Sequence, residues 1–259
     1  MSLPQTATKA KTLKISILTR DFFFTVLLLL FLSGLFISQQ AAASGFSVKR
    51  PFIQTVGYIV QQQHINFNQA QIAFENRDYA YSAWLLRVLA ENGHTQAQYL
   101  LATQYDAGLG VKKNELSSFY WYKKAAKAGI GIAQHNLAVA YAQGNGVKAD
   151  LSKAISWWKR AAKAGNTDSQ YNLGIIYAAG RDNIKPDLKK ALKWWRMAAI
   201  NGDAAAQFNL GALYANGIGV SSRTCEASRW WKKSAANGFA QAEKALAVLE
   251  LKQDYDVCQ

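Results

Sequence analysis

One pattern fixes what this chain can fold into. Tyrosine followed three residues later by glycine recurs at Tyr105/Gly108, Tyr141/Gly144, Tyr177/Gly180 and Tyr214/Gly217, in steps of 36, 36 and 37 residues. Tryptophan returns in the same register at Trp121, Trp157, Trp194 and Trp230, and glycine at Gly129, Gly165, Gly202 and Gly238. Self-similarity at such a period marks an array of supersecondary units, each burying its apolar face against its neighbours. The one-residue slip falls at Gly180-Arg181-Asp182-Asn183-Ile184-Lys185-Pro186, where the other copies have short Gly-x-Gly-Val turns. The insertion therefore belongs to a turn and leaves the repeating elements intact.

Each unit reads as two amphipathic helices. In the first, Gln170 to Ala178 places Leu173, Ile176 and Tyr177 on one face, with Gly174 where a neighbouring helix can approach closely. The second begins near Asn114, Asp150 or Asp187, whose short polar side chains suit an N-cap. It then carries Ala154, Trp157, Trp158, Ala161 and Ala162 as a stripe of helical period and stops at Gly165. In the fourth copy Arg223 holds the capping position, so Ser222 or Thr224 is the expected cap. Helix pairs this short cannot bury their own faces, and stacking them builds a continuous core.

The unit A-Q-x-N-L-x-x-x-Y-x-x-G-x-G-V-x-x-D-x-x-K-A-x-x-W-W-K-x-A-A-x-x-G, nearly complete from Ala133 to Gly165, resembles the Sel1-like repeat, a relative of the tetratricopeptide repeat. The resemblance implies an all-α protein, a right-handed α/α superhelix with a concave inner surface used for binding other proteins. The expected organisation is a targeting segment at 1–43, an unassigned stretch at 44–73, a divergent half-repeat at 74–96, four repeats at 97–241 and a capping helix with tail at 242–259. Ala102 and Ala138 depart from the Leu-Gly of the other copies, a change between small residues.

Composition bears on location and partners. The chain of 259 residues carries 30 Lys plus Arg against 16 Asp plus Glu, a formal charge of +14, which ordinarily raises nucleic acid as a partner. The N-terminus argues otherwise. Phe22–Ile37 is apolar except for Thr25, Ser33 and Gly34, follows Lys9, Lys11, Lys14 and Arg20, and precedes Ala41-Ala42-Ala43. These are the parts of a secretory signal cleaved after Ala43 or, if retained, of an N-terminal anchor. Either way the repeats lie across the membrane in the periplasm or its equivalent, still +11 after cleavage, facing anionic lipid, acidic glycan or acidic protein rather than nucleic acid.

Several constellations are weighed on this frame. Cys225 falls in the first turn of the last second helix, and a closing helix folding back returns Cys258 to its level, so a disulfide is expected in an oxidising compartment. An intermolecular bond through Cys258 and two free thiols are the alternatives. The Trp pairs share the Ala stripe and read as inter-helix packing rather than as sugar platforms. In repeats of this kind the first helices face the concave side, which nominates Tyr99, His135, Tyr171 and Phe208 as one contact column, with Asn136, Asn172 and Asn209 in the next. The asparagines could equally satisfy backbone groups between repeats. Lys123, Lys127, Lys159, Lys163, Lys193 and Lys233 recur on the polar sides of successive second helices as a basic band fit for an anionic membrane or cell-wall surface.

Catalytic and metal signals are weak. Ser156-x-x-Lys159 matches S-x-x-K, but Tyr120, Lys193 and Arg229 occupy the serine's position in the other copies, and no S-D-N or K-T-G accompanies it. His64, His94 and His135 lack ligand spacing, and the Gly-x-Gly turns lack the rest of a phosphate loop. No cofactor is expected. The reading is an exported, non-catalytic scaffold that holds an envelope protein through its concave face. An envelope enzyme or binder acting on peptidoglycan or β-lactams, or a glycan-binding module, is the alternative.

Overall fold

A computed structural model describes residues 66–217 and 224–251, which belong to one compact unit. The described residues form a succession of α-helices: α1 Phe67–Glu75, α2 Tyr79–Glu91, α3 Thr95–Ala107, α4 Glu115–Lys127, α5 Gly131–Gln143, α6 Leu151–Lys163, α7 Thr167–Ala179, α8 Leu188–Ile200, α9 Ala204–Ala215, α10 Thr224–Ala236 and α11 Ala240–Leu251. Each helix packs against the next, so four pairs, α3/α4 to α9/α10, stack into an α/α solenoid. Before them stands a complete pair, α1/α2, where the sequence suggested half a unit: the missing half begins at Phe67, inside the stretch left unassigned. α11 closes the other end. Of the two caps expected in the fourth repeat, Ser222 lies outside the described residues and Thr224 is the first residue of α10.

The local causes are those the sequence offers. Asn114, Asp150 and Asp187 cap α4, α6 and α8, their side chains accepting from the amides of Ser117, Lys153 and Lys190. Each cap satisfies one orphan amide of the first turn. The same three residues donate their own amides to the carbonyls of Tyr105, Tyr141 and Tyr177, at 3.0, 2.8 and 2.7 Å, which locks the two helices of each pair in register. The longer third turn keeps this tie by folding Arg181 and Ile184 into a small antiparallel bridge.

The second glycine of the Gly-x-Gly turn has a separate task. A Cβ on Gly110 would stand 2.1 Å from the Tyr79 carbonyl, and one on Gly146 2.1 Å from the Glu115 carbonyl. These turns therefore lie directly on the start of the second helix one unit earlier, and only glycine permits the approach. At the inner face of each pair, Leu101, Leu137, Leu173 and Leu210 are fully buried. Each such leucine contributes roughly 1.5–3 kcal/mol relative to exposure.

Gly174 and Gly211 make room for tryptophan. A Cβ would fall 2.2 Å from Trp195 Cδ1 and 2.6 Å from Trp231 Cδ1 respectively, so the indole of the partner helix lies against bare backbone. The second aromatic of every pair, Tyr122, Trp158, Trp195 and Trp231, is buried, as the stripe predicted. The first is not always so: Trp121 and Trp194 are buried, whereas Trp157 and Trp230 are half-exposed. They sit at the edge of the stripe, where Arg160 lies 4.5 Å from the Trp157 centroid and Lys233 4.6 Å from that of Trp230.

Candidate functional site: the inner face of the first helices

Two first helices, α7 and α9, touch each other directly, which places the first-helix row on the inner, tighter side of the stack. The nominated column lies there. Tyr99, His135, Tyr171 and Phe208, with Leu100, Asn136, Asn172 and Asn209 beside them, are all half-buried, neither sealed in the core nor fully solvated. Val139 and the exposed Ile132 and Ile175 extend the row in apolar character.

The members of the column are held differently. Tyr99 leans on Tyr122 with centroids 6.1 Å apart, and burial pushes its hydroxyl pKa up. Burial does the same more strongly to Tyr122, opposed by a hydrogen bond with the Asn136 side chain. His135 Nδ1 lies 2.8 Å from Ser169 Oγ across the junction of the second and third repeats. Burial holds the His135 pKa below its ordinary value, with Asp168 and Asn166 pulling the other way. Phe208 packs between Trp231 and Phe239, at 6.3 and 5.2 Å. Among the described residues, Asn172 and Asn209 are half-buried and make no side-chain hydrogen bond, so their amides are unspent.

The task of joining repeats, which the asparagine row could have taken, belongs to glutamines that the sequence reading passed over. Gln98, Gln134, Gln170 and Gln207 are buried and donate through Nε2 to the carbonyls of Ala90, Ala126, Ala162 and Ala199 at 3.0–3.2 Å. Each ties a first helix to the second helix of the preceding unit. The signal was present, since glutamine recurs immediately before the aromatic column in all four copies. The helical pattern alone reads that position as core, where glutamine is costly unless bonded.

Charge is partitioned between the two rows. α3, α5, α7 and α9 contain no lysine or arginine and only two acidic residues, Asp106 and Asp168. The band residues Lys123, Lys127, Lys159, Lys163, Lys193 and Lys233 are all exposed on the second helices. Several rest on rings: Lys123 on Phe119, Lys159 on Tyr177 and Lys193 on Trp194, at 5.7–5.8 Å. Lys127 and Lys163 lie in the last turns of α4 and α6, where a cation complements the helix dipole.

Other nominated features are dispersed. Ser156 and Lys159 are both exposed on α6. His94 caps α3, its Nδ1 accepting from the Ala97 amide, and stacks on Phe67. Among the described residues no group of three metal-ligating side chains converges, and no helix is long and apolar enough to cross a membrane. His64, Cys258, the apolar segment Phe22–Ile37 and residues 44–65 lie outside the described residues.

Comparison with known proteins agrees with this architecture. The family model described as Sel1 repeat matches residues 95–130, 131–166, 167–203 and 204–239. No curated protein matches in sequence. Among solved structures, a Sel1 repeat protein from Oxalobacter formigenes superposes with a TM-score of 0.64 at 30% identity, over 70% of this chain and 74% of that one. The protective antigen c5321 of uropathogenic Escherichia coli, which displays an SLR fold, aligns at 26% identity and TM-score 0.48 over 80% of this chain and 54% of its own. A Sel1 repeat protein from Klebsiella pneumoniae gives 21% and 0.45, over 71% and 91%.

Proposed function

Since the chain belongs to the Sel1 repeat family, whose members generally mediate protein–protein interaction, we propose that it is a non-catalytic scaffold that holds an envelope protein against the inner face of its first helices. One observation carries this reading: that face is uncharged apart from Asp106 and Asp168, lined with half-buried aromatic and aliphatic side chains, and bears the unspent amides of Asn172 and Asn209. Apolar contact supplies affinity there, and the amides can pair with a partner's backbone. A stacked, preformed groove also keeps the ordering cost of binding low.

The setting is the far side of the membrane, reached through Phe22–Ile37 as a cleaved signal or a retained anchor. The basic N-terminal flank and the Ala41-Ala42-Ala43 stretch support export. A Cys225–Cys258 bridge fits that compartment. Cys225 is the second residue of α10, α11 packs against α10 and ends near Leu251, and no cysteine among the described residues is a free thiol.

In-cell photo-crosslinking tests the groove. A probe replacing Tyr171 should give a discrete protein adduct, and one replacing Lys163 on the second-helix side should not. Equal adducts from both positions, or none from Tyr171, would overturn the groove as the docking face.

A further inference from the structure

The second helices carry charge in a graded way. By formal count α2 is neutral, α4 is +2, α6 and α8 are +4 each, and α10 is +2. The N-cap carboxylates Asp150 and Asp187 pair with Lys153 and Lys190 at 2.8 and 2.7 Å, which still leaves +3 at each of the two central helices. The first helices contribute none of this charge. The cations thus lie on the outer row of a curved stack, and their density peaks at the middle of the row.

That profile is informative about the partner's shape. A linear polyanion wrapped round the outer face would meet every second helix alike and would favour an even distribution. A flat anionic surface touches a convex body at its crest, where this chain is most basic. The crest also offers little for insertion, since the half-exposed Trp157 is already covered by Arg160. The large apolar side chains exposed on second helices, Tyr81, Trp84, Leu116 and Tyr120, lie on α2 and α4 toward the N-terminal end, and Ile200 is the last residue of α8. Contact would therefore be electrostatic and confined to headgroups. Some of the cations are partly immobilised already: Arg160 lies over Trp157, Lys159 over Tyr177 and Lys193 over Trp194, which lowers the entropy lost on docking.

We infer that the crest formed by α6 and α8 docks on the anionic headgroups of a lipid bilayer, leaving the groove of the first helices turned away from the membrane. A bilayer is within reach on the envelope reading above. The docking itself is independent of what the groove binds, and the experiment measures it separately.

The test is sedimentation of the full chain with vesicles of phosphatidylcholine alone or with one-third phosphatidylglycerol. The neutral vesicles register any contribution of Phe22–Ile37, so the phosphatidylglycerol-dependent part reports the crest. Each cation near such a surface is worth about 1 kcal/mol, about fivefold in partitioning. Replacing Lys159, Lys163, Lys189 and Lys193 together by glutamine should lower the anionic part by at least about 30-fold, after screening is allowed for. Replacing the same four by arginine should preserve it. A charge-matched set away from the crest, Lys112, Lys113, Lys123 and Lys127 to glutamine, should cost less than about threefold. Equal losses from both glutamine sets, no dependence on phosphatidylglycerol, or displacement from vesicles by equimolar acidic polysaccharide would overturn the inference. Tyr171 crosslinking is read in parallel, so loss of bilayer docking leaves the groove reading to stand or fall on its own result.

Discussion

The buried glutamines lead to a stabilising substitution. Gln170 Oε1 accepts from Asn201 Nδ2 at 3.1 Å, and Gln207 Oε1 accepts from Asn237 Nδ2 at 3.0 Å. The equivalent residue for Gln134 is Ala164, and Gln134 Oε1 is buried with no partner. Ala164 ends α6 at φ −80, ψ 5, and Asn201 ends α8 at φ −80, ψ 8, so asparagine fits the backbone already present. Ala164→Asn should therefore supply the missing donor. A hydrogen bond of this kind contributes about 1 kcal/mol net, and relief of an orphaned buried acceptor adds to it, so about 1–2 kcal/mol is expected. In a protein of this size that raises Tm by about 2–4 °C per kcal/mol. The assay is urea unfolding of wild type, Ala164→Asn, Gln134→Leu and the double variant. The gain must vanish in the Gln134→Leu background, because the interaction energy belongs to the pair. An equal gain in both backgrounds would show a local effect of asparagine at the helix end, and no gain in wild type would refute the assignment of Gln134 Oε1 as an orphan.

Four further outcomes follow. Gly174→Ala drives a Cβ into the buried Trp195 ring and should cost about 1–3 kcal/mol in urea unfolding, a loss below about 0.5 kcal/mol counting against the close approach. Gly110→Ala meets the Tyr79 backbone and also demands left-handed geometry at φ +69, so it should exceed that loss and loosen α2 selectively in hydrogen exchange. His135 has a folded pKa below its unfolded value near 6.5, so the unfolded chain binds the proton more readily; the stability held above that pH is lost as pH falls through it toward the folded pKa, and His135→Asn should flatten the fall in urea midpoint between about pH 7 and pH 5. The Cys225–Cys258 bridge should leave no thiol titratable in the non-reduced, denatured protein, and Cys225→Ser should cost about 3–4 kcal/mol; titration of two thiols would remove the bridge.

The fold was largely legible because its causes are local and repeated. A Tyr-x-x-Gly register, an Asn or Asp cap and a positive-φ glycine after each second helix act within one unit, and fourfold repetition separates them from coincidence. What stayed hidden depends on contacts between units. α1 was left out because Phe67–Glu75 has no repeat signature of its own and is a helix by virtue of the Asn66 capping box and its packing on α2. The divided behaviour of the Trp pairs was hidden for a similar reason: period alone puts Trp157 and Trp158 on one stripe, and only the neighbouring helix decides which ring is covered.

The candidate surface shows the same division. Sequence placed the aromatic column and the cations on different helices, but it could not say which polar residues were already spent. In the structure glutamine is consumed by the junctions, while Asn172 and Asn209 are left to the groove. Had the asparagines served the junctions, the first-helix row would be an apolar strip with little means of orienting a partner backbone. Because the glutamines serve there, the groove keeps directional donors and acceptors at repeat spacing, and the positive charge of the paired helices stays on the second-helix row. If the proposed groove and crest each dock a partner, specificity and electrostatic attraction can be changed independently, by substitution at Asn172 and Asn209 for the first and at Lys159, Lys163, Lys189 and Lys193 for the second.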